Sequence, residues 1–252
     1  MERSADVVDE VVAAHRALAA AGQSDLVWGH AAIRDPAGRG VWMKAAGWGL
    51  EEINQERVVL VSPAREVLAG TGRAHIESFI HTELMLARAD IGATVHSHTR
   101  AAIAFASLGE PLRPLSHDAI PFLDPDVARF TDTGDLIATP ALGAALATAL
   151  GRANGCLIPG HGVVTVGADI AAAVMHASLL DRACQIQLDA AAGGGPRVWS
   201  SDAEVAAKRE RLWSTSQLHA GYAYLVRRAD ALFGTRPAGD REETHERDSS
   251  GG

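Results

Sequence analysis

Ile91-Gly92-Ala93-Thr94-Val95-His96-Ser97-His98-Thr99 joins an apolar, β-branched run to two histidines one residue apart. The run has strand composition. Side chains alternate faces along a strand, so residues i and i+2 point the same way, about 6–7 Å apart. His96 and His98 therefore converge where both imidazoles can reach one metal ion. An isolated pair of this kind reads more readily as one buried, hydrogen-bonded histidine and one at a strand end, so the neighbouring segments decide.

Immediately upstream, Ile76 to Arg88 has helical spacing, with Ile80, Leu84 and Leu86 as apolar members. Glu77 and His81 stand four apart and share a helix face, and the helix delivers that face to the histidine strand. Downstream come a short helix (Ala101–Ser107) and a proline-rich passage from Pro111 to Thr133 that holds His117 and Asp118. Irregular segments of that length in a compact domain are usually functional or ordered by a partner. A helix over Leu142–Leu150 precedes strands at Gly155–Ile158 and Val163–Val166, and Pro159-Gly160-His161-Gly162 joins them. A long helix spans Ile170–Ala192, stopping at three glycines and Pro196. The segment Asp202–Leu232 is expected to be amphipathic and helical.

On the N-terminal side, residues 5–22 read as a helix carrying Val8, Val11, Val12 and Leu18, with His15 on its surface. A short strand before the turn Asp35-Pro36-Ala37-Gly38 and a partner at Val41–Lys44 predict a β-hairpin. Strands at Arg57–Ser62 and Glu66–Leu68 follow. The order of elements predicts an α/β fold, three α/β/α layers around a central, mostly antiparallel sheet. A single domain is expected over residues 1–235, with a disordered polar tail at 236–252.

At 252 residues and 47% hydrophobic, the chain can bury one sizeable core. A net charge of −8 without a basic block argues against a nucleic-acid partner. No run of eighteen apolar residues and no signal-peptide pattern is found, so no membrane association and a cytoplasmic location are expected. Cys156 and Cys184 lack framework spacing and read as buried thiols.

Taken alone, His161 between two glycines reads as an exposed turn histidine and Glu77 as a solvated helix carboxylate. Taken together, Glu77, His96, His98 and His161 form the donor set of an open divalent site.

With these motifs the chain resembles the class II aldolase/adducin superfamily. The resemblance rests on Ile76-Glu77-Ser78-Phe79-Ile80-His81, on Arg88 through His98, and on Gly160-His161-Gly162 through Gly167, and it covers about residues 5–230. It implies a class II aldolase-like fold and one divalent ion per chain, zinc first, with manganese, cobalt or iron as alternatives. His96, His98 and His161 would be ligands, and Glu77 a ligand or a catalytic acid/base. A homotetramer with sites at subunit interfaces is also implied.

The sugar-phosphate aldolases of that family hold phosphate with an Asn-hydroxyl loop and serines. Here those positions read Gly29-His30-Ala31-Ala32, Lys44-Ala45-Ala46-Gly47 and Ala74-His75-Ile76-Glu77. Alanine offers no side-chain donor, so a phosphate dianion loses charge-assisted hydrogen bonds. His30, His75, Arg34 and Trp28 stand in their place, a set suited to a planar or carboxylated small-molecule substrate. The pattern looks like the branch of decarboxylases acting on hydroxylated aromatic acids, of the dihydroxyphthalate type. The implied chemistry is metal-assisted carbon–carbon cleavage through enolate-like charge, with Glu77 or His117 as general acid. An aldolase on an unphosphorylated hydroxy or oxo acid and a non-haem iron oxygenase are the alternatives.

Overall fold

The structure, a computed structural model, describes residues 2–124 and 126–234. The N-terminal half supplies β1 (His30–Arg34), β2 (Val41–Lys44), β3 (Val58–Val61), β4 (Val67–Ala69) and β5 (Ala93–Ser97). The C-terminal half adds β6 (Ala128–Arg129), β7 (Gly155–Ile158) and β8 (Gly162–Gly167). They form one open sheet in the order β4-β3-β2-β1-β5-β8-β7-β6, with only the β6–β7 pair parallel. The expected mostly antiparallel sheet is what the chain adopts. β5 lies at its centre, pairing His96 with His30 of β1 on one side and with Val164 of β8 on the other.

Among the described residues, seven α-helices cover the sheet: α1 (Glu2–Ala20), α2 (Ser78–Ala87), α3 (Arg100–Leu108), α4 (Pro140–Leu150), α5 (Ile170–Ala192), α6 (Asp202–Arg209) and α7 (Thr215–Phe233). Strand alternation sorts the core. Ala31, Ile33, Ala93 and Val95 pack toward α1, α5 and α7, whereas Ala32, Met43, Val164 and Val166 pack toward α2 and α4. A third cluster joins α3, α5 and the 3-10 turn His117–Phe122 around Phe105, Leu157 and Leu180. The layers are α/β/α, each fully buried Leu, Ile or Val contributing about 1.5–3 kcal/mol.

Three local expectations are corrected. His15 is fully buried: Nδ1 donates to the Val11 carbonyl and Nε2 accepts the Ala31 amide at 3.0 Å, tying α1 to β1. The helix expected from Ile76 begins at Ser78, with Glu77 as its N-cap residue, so Glu77 precedes the helix face that carries His81. The helical segment expected over Asp202–Leu232 is interrupted, forming two helices. Trp213 adopts a left-handed φ of 59°, and Ser214 restarts the chain with a capping box to Gln217. The tail expected at 236–252 lies outside the described residues. Among the described residues no helix is long and apolar enough to cross a membrane.

Candidate metal centre

The parity of β5 sends Thr94 and His96 to the α2 face, and His98 follows just past the strand end. His161 arrives from the three-residue connection between β7 and β8, where Gly160 takes a φ of 74° that favours glycine. Gly162 is demanded by proximity. A Cβ there would stand 2.6 Å from the Ser97 carbonyl oxygen and 2.8 Å from the His98 ring. Glu77 is left free to aim inward because its side chain does not cap α2. Glu77, His96, His98 and His161 thus place one ligand atom each within 4.8 Å of one another, and they could hold a metal ion.

The hydrogen bonds prepare these groups as ligands. His96 Nδ1 donates to the Val163 carbonyl at 3.1 Å, and His98 Nδ1 lies 2.6 Å from Asp25 Oδ2. Both rings are thereby held with Nε2 toward the cluster, the arrangement that outer-shell acceptors impose on metal-binding histidines. His96 Nε2 and both ring nitrogens of His161 are buried without a hydrogen-bond partner. Glu77 Oε1 accepts the Ile137 amide at 2.9 Å, and its two oxygens lie 3.4 Å from His161 Nε2 and 3.7 Å from His96 Nε2. Burial alone would raise the Glu77 carboxyl. Its contact with His161, the nearby His96 and the Ile137 N–H outweigh that and lower it to about 2. Burial keeps His96 neutral, well below its ordinary value. Orphaned imidazole nitrogens facing an ionised carboxylate are a donor set that fits a divalent ion.

A second group adjoins the first. His30, His75 and Glu77 also lie within 4.8 Å of one another by their ligand atoms. The His30 and His75 rings stand 4.0 Å apart. Holding two ions at once would set four positive charges against the one shared carboxylate in a buried site, so a single ion at the first group leaves His30 and His75 as neutral imidazoles beside it. Burial lowers His75 to about 4, and both rings are neutral near pH 7. His75 also lines a cleft of about 700 Å³ with Trp28, Ala46, Gly47, Arg73 and Ala74.

Of the residues expected to bind substrate, the structure therefore brings His30, His75 and Trp28 to this region and does not bring Arg34. Arg34 sits at the far end of β1, where its guanidinium donates to the carbonyls of Met85, Arg88 and Ile91. It satisfies the open end of α2 and the approach to β5, and these bonds commit it to structure. His117 is not brought in either. Its ring is exposed in the 3-10 turn packed on α5, and its carbonyl accepts the Trp213 indole N–H at 2.8 Å. The sequence reading also missed Asp25, which lies 73 residues from His98 in a segment read as loop. It missed the chain Thr94–His81–His30 as well, where His81 Nδ1 meets Thr94 Oγ1 and His81 Nε2 lies 2.6 Å from His30 Nδ1.

Several known proteins are similar to this chain. Decarboxylase NovR of Streptomyces niveus is 38% identical over 132 residues, 52% of this chain and 48% of that protein. The 4-hydroxy-3-prenylphenylpyruvate oxygenase/4-hydroxy-3-prenylbenzoate synthase of Streptomyces roseochromogenus subsp. oscitans is also 38% identical, over 131 residues, covering 52% and 47%. The chain thus matches about half the length of these two curated relatives. The 3,4-dihydroxyphthalate decarboxylase of Arthrobacter keyseri is 27% identical, covering 74% of this chain and 79% of that one. Among solved structures, L-fuculose 1-phosphate aldolase from Glaciozyma antarctica PI12 superposes with a TM-score of 0.79 at 28% identity, covering 90% of each chain. Residues 9–188 match the Class II Aldolase and Adducin N-terminal domain. That match takes in well over half of the chain and every member of the four-residue cluster, and the protein belongs to the class II aldolase and adducin family.

Proposed function

We propose that the protein is a divalent-metal-dependent carbon–carbon lyase, a decarboxylase of a hydroxylated aromatic carboxylic acid. The observation that carries this reading is the buried cluster of Glu77, His96, His98 and His161 beside two neutral imidazoles, one of which, His75, lines a Trp28-walled cleft. His96, His98 and His161 would hold one ion per chain, zinc first, with manganese, cobalt or iron suited to the same donors. When bound, the ion supplies Lewis-acid stabilisation of negative charge on substrate oxygens beside the breaking bond.

The chain's own groups do the rest. His30 and His75 orient the oxygen substituents of the ring, and Trp28 offers a flat apolar wall. Glu77 reaches neutral pH ionised, so it serves as a ligand or takes up a proton before it can return one to the carbon that loses CO₂. His117 has no part in this scheme, because its ring is exposed outside the cluster. Leu26, Trp28 and Ile76 are exposed around the cleft, a surface that a further subunit of a homotetramer would cover.

The equal identity to an oxygenase and to a decarboxylase gives an oxygenase reading specific support. Zinc- and iron-loaded protein, analysed for metal, would be given 3,4-dihydroxyphthalate and related hydroxylated benzoates with and without O₂. The expected result is about one equivalent of metal per chain and stoichiometric CO₂ release without O₂. Turnover only with O₂ would make the protein an oxygenase, and aldehyde release without CO₂ from an added 4-hydroxy-2-oxo acid, with the aromatic acids left intact, would make it an aldolase.

A further inference from the structure

Thr94, His81 and His30 form a buried line of hydrogen bonds that ends in one free nitrogen. His81 Nδ1 contacts Thr94 Oγ1, His81 Nε2 contacts His30 Nδ1 at 2.6 Å, and His30 Nε2 has no partner. His30, His81 and Thr94 are each fully buried. The free nitrogen belongs to the ring that stands 4.0 Å from His75 and 5.1 Å from His96, so the line terminates at the candidate centre.

A neutral imidazole carries one N–H and one bare nitrogen, and a line of them must run in one direction. In one direction the Thr94 hydroxyl donates to His81, His81 Nε2–H donates to His30, and His30 presents an N–H to the site. In the other, His30 Nδ1–H donates to His81, His81 Nδ1–H donates to Thr94 Oγ1, and His30 presents a bare nitrogen. The first leaves a buried N–H fixed in the ring plane with no acceptor, a rare and costly state. The second leaves the His30 nitrogen as an unpaired acceptor, a smaller loss than a stranded N–H, and a Thr94 hydroxyl hydrogen that can swing about its C–O bond. His75 shows the opposite character, because its Nδ1 accepts the Glu77 amide at 3.4 Å and its N–H must then lie on Nε2.

We propose that Thr94 and His81 are positioning residues that hold His30 Nε2 bare, and that this nitrogen accepts a hydrogen bond from a ring hydroxyl next to the substrate carboxylate. This rests on the aromatic-acid reading above and names the feature of the substrate that is recognised. A bare nitrogen rewards an O–H donor and gives nothing to a C–H at the same place. An ortho-hydroxylated acid is therefore selected over its unsubstituted parent.

The test uses zinc-loaded protein with ¹⁵N-labelled histidine and two probes, salicylate and benzoate. In the wild type, His30 should be protonated on Nδ1, and salicylate should bind about tenfold more tightly than benzoate. Thr94→Val keeps the strand's shape but removes the acceptor for His81 Nδ1–H. The line should then reverse, with His30 protonated on Nε2 and the preference cut to about twofold at unchanged zinc content. Thr94→Ser should restore both the tautomer and the preference. An unaltered His30 tautomer and an unaltered preference in Thr94→Val would overturn the proposal. Should that variant not fold, a wild-type His30 protonated on Nε2 with salicylate bound would overturn it alone. CO₂ release is not read in this experiment, so failure of the decarboxylase reading shows separately.

Discussion

Asp25 is the residue whose replacement separates ligand geometry from bulk folding. Its carboxylate lies 2.6 Å from His98 Nδ1 in a partly exposed position, so losing it leaves no charge stranded in the core. Asp25→Ala should lower metal affinity about 10- to 100-fold, the usual cost of an outer-shell acceptor, while the melting transition of metal-free protein moves little. Competition with a fluorescent zinc chelator measures the first, and calorimetry the second. An unchanged affinity would mean that His98 is held by its backbone alone. Asp25 also marks a limit of the sequence. His96 and His98 are legible because a strand's period of two is local, whereas no spacing rule ties an aspartate in a loop to a histidine 73 residues away. Arg34 shows the converse. A cation near the expected pocket invites a binding role, but four residues along β1 carry it to the other end of the strand and to the carbonyls of α2.

At the scale of elements, strands and helices with strong local signals were readable almost to the residue. The reading placed β7 at Gly155–Ile158 and α5 at Ile170–Ala192, as observed. Glycines and a capping Asp169 bound them, and nothing tertiary competes. The break between α6 and α7 contains neither glycine nor proline. Its signal was Ser214 three residues before Gln217, a capping box inside an amphipathic run. His15 failed because α1 is covered by the sheet on one side and α7 on another, a burial that helical periodicity cannot foresee.

The β1–β2 hairpin supplies a prediction of its own. Asp35 accepts hydrogen bonds from the Arg39 amide, the Arg39 guanidinium and the Trp42 indole, and the Arg39 guanidinium first among them holds its carboxyl well below the usual range. A group depressed in the folded state stabilises above its unfolded pKa, about 3.9, and that stability is lost as pH falls through the folded value. Asp35→Ala should cost about 1.5–3 kcal/mol at pH 7. The gap from wild type should narrow steadily below about pH 4. Denaturant midpoints across pH check both, and a gap independent of pH would assign the cost to packing.

For the whole molecule, the fold leaves the choice of substrate to the surfaces that meet at the cleft. In the sequence Ala31, Ala32 and Ala46 stand together as positions without a phosphate donor, but the sheet separates them. Ala31 and Ala32 are buried on opposite faces, whereas Ala46, Gly47, Gly72 and Ala74 line the cleft. Those positions still offer a phosphate no hydroxyl or amide side chain, and each missing charge-assisted hydrogen bond costs about 1.5–3 kcal/mol. Arg65 and Arg73 at the rim are exposed, where a charge pair is worth about 0–1 kcal/mol and fades with salt. They can gather anions of any shape but cannot replace a built phosphate site. L-Fuculose 1-phosphate should therefore turn over at less than about one-hundredth of the rate of the best hydroxylated aromatic acid, since two lost bonds of this kind already exceed 2.7 kcal/mol. Replacing Arg65 and Arg73 together by alanine should raise KM for that acid about three- to tenfold at low salt, leave kcat unchanged, and lose its effect at high salt. Comparable rates on the sugar phosphate, abolished by the double replacement, would show that the arginines close on the substrate as a true phosphate clamp, and would remove the ground for a planar acid.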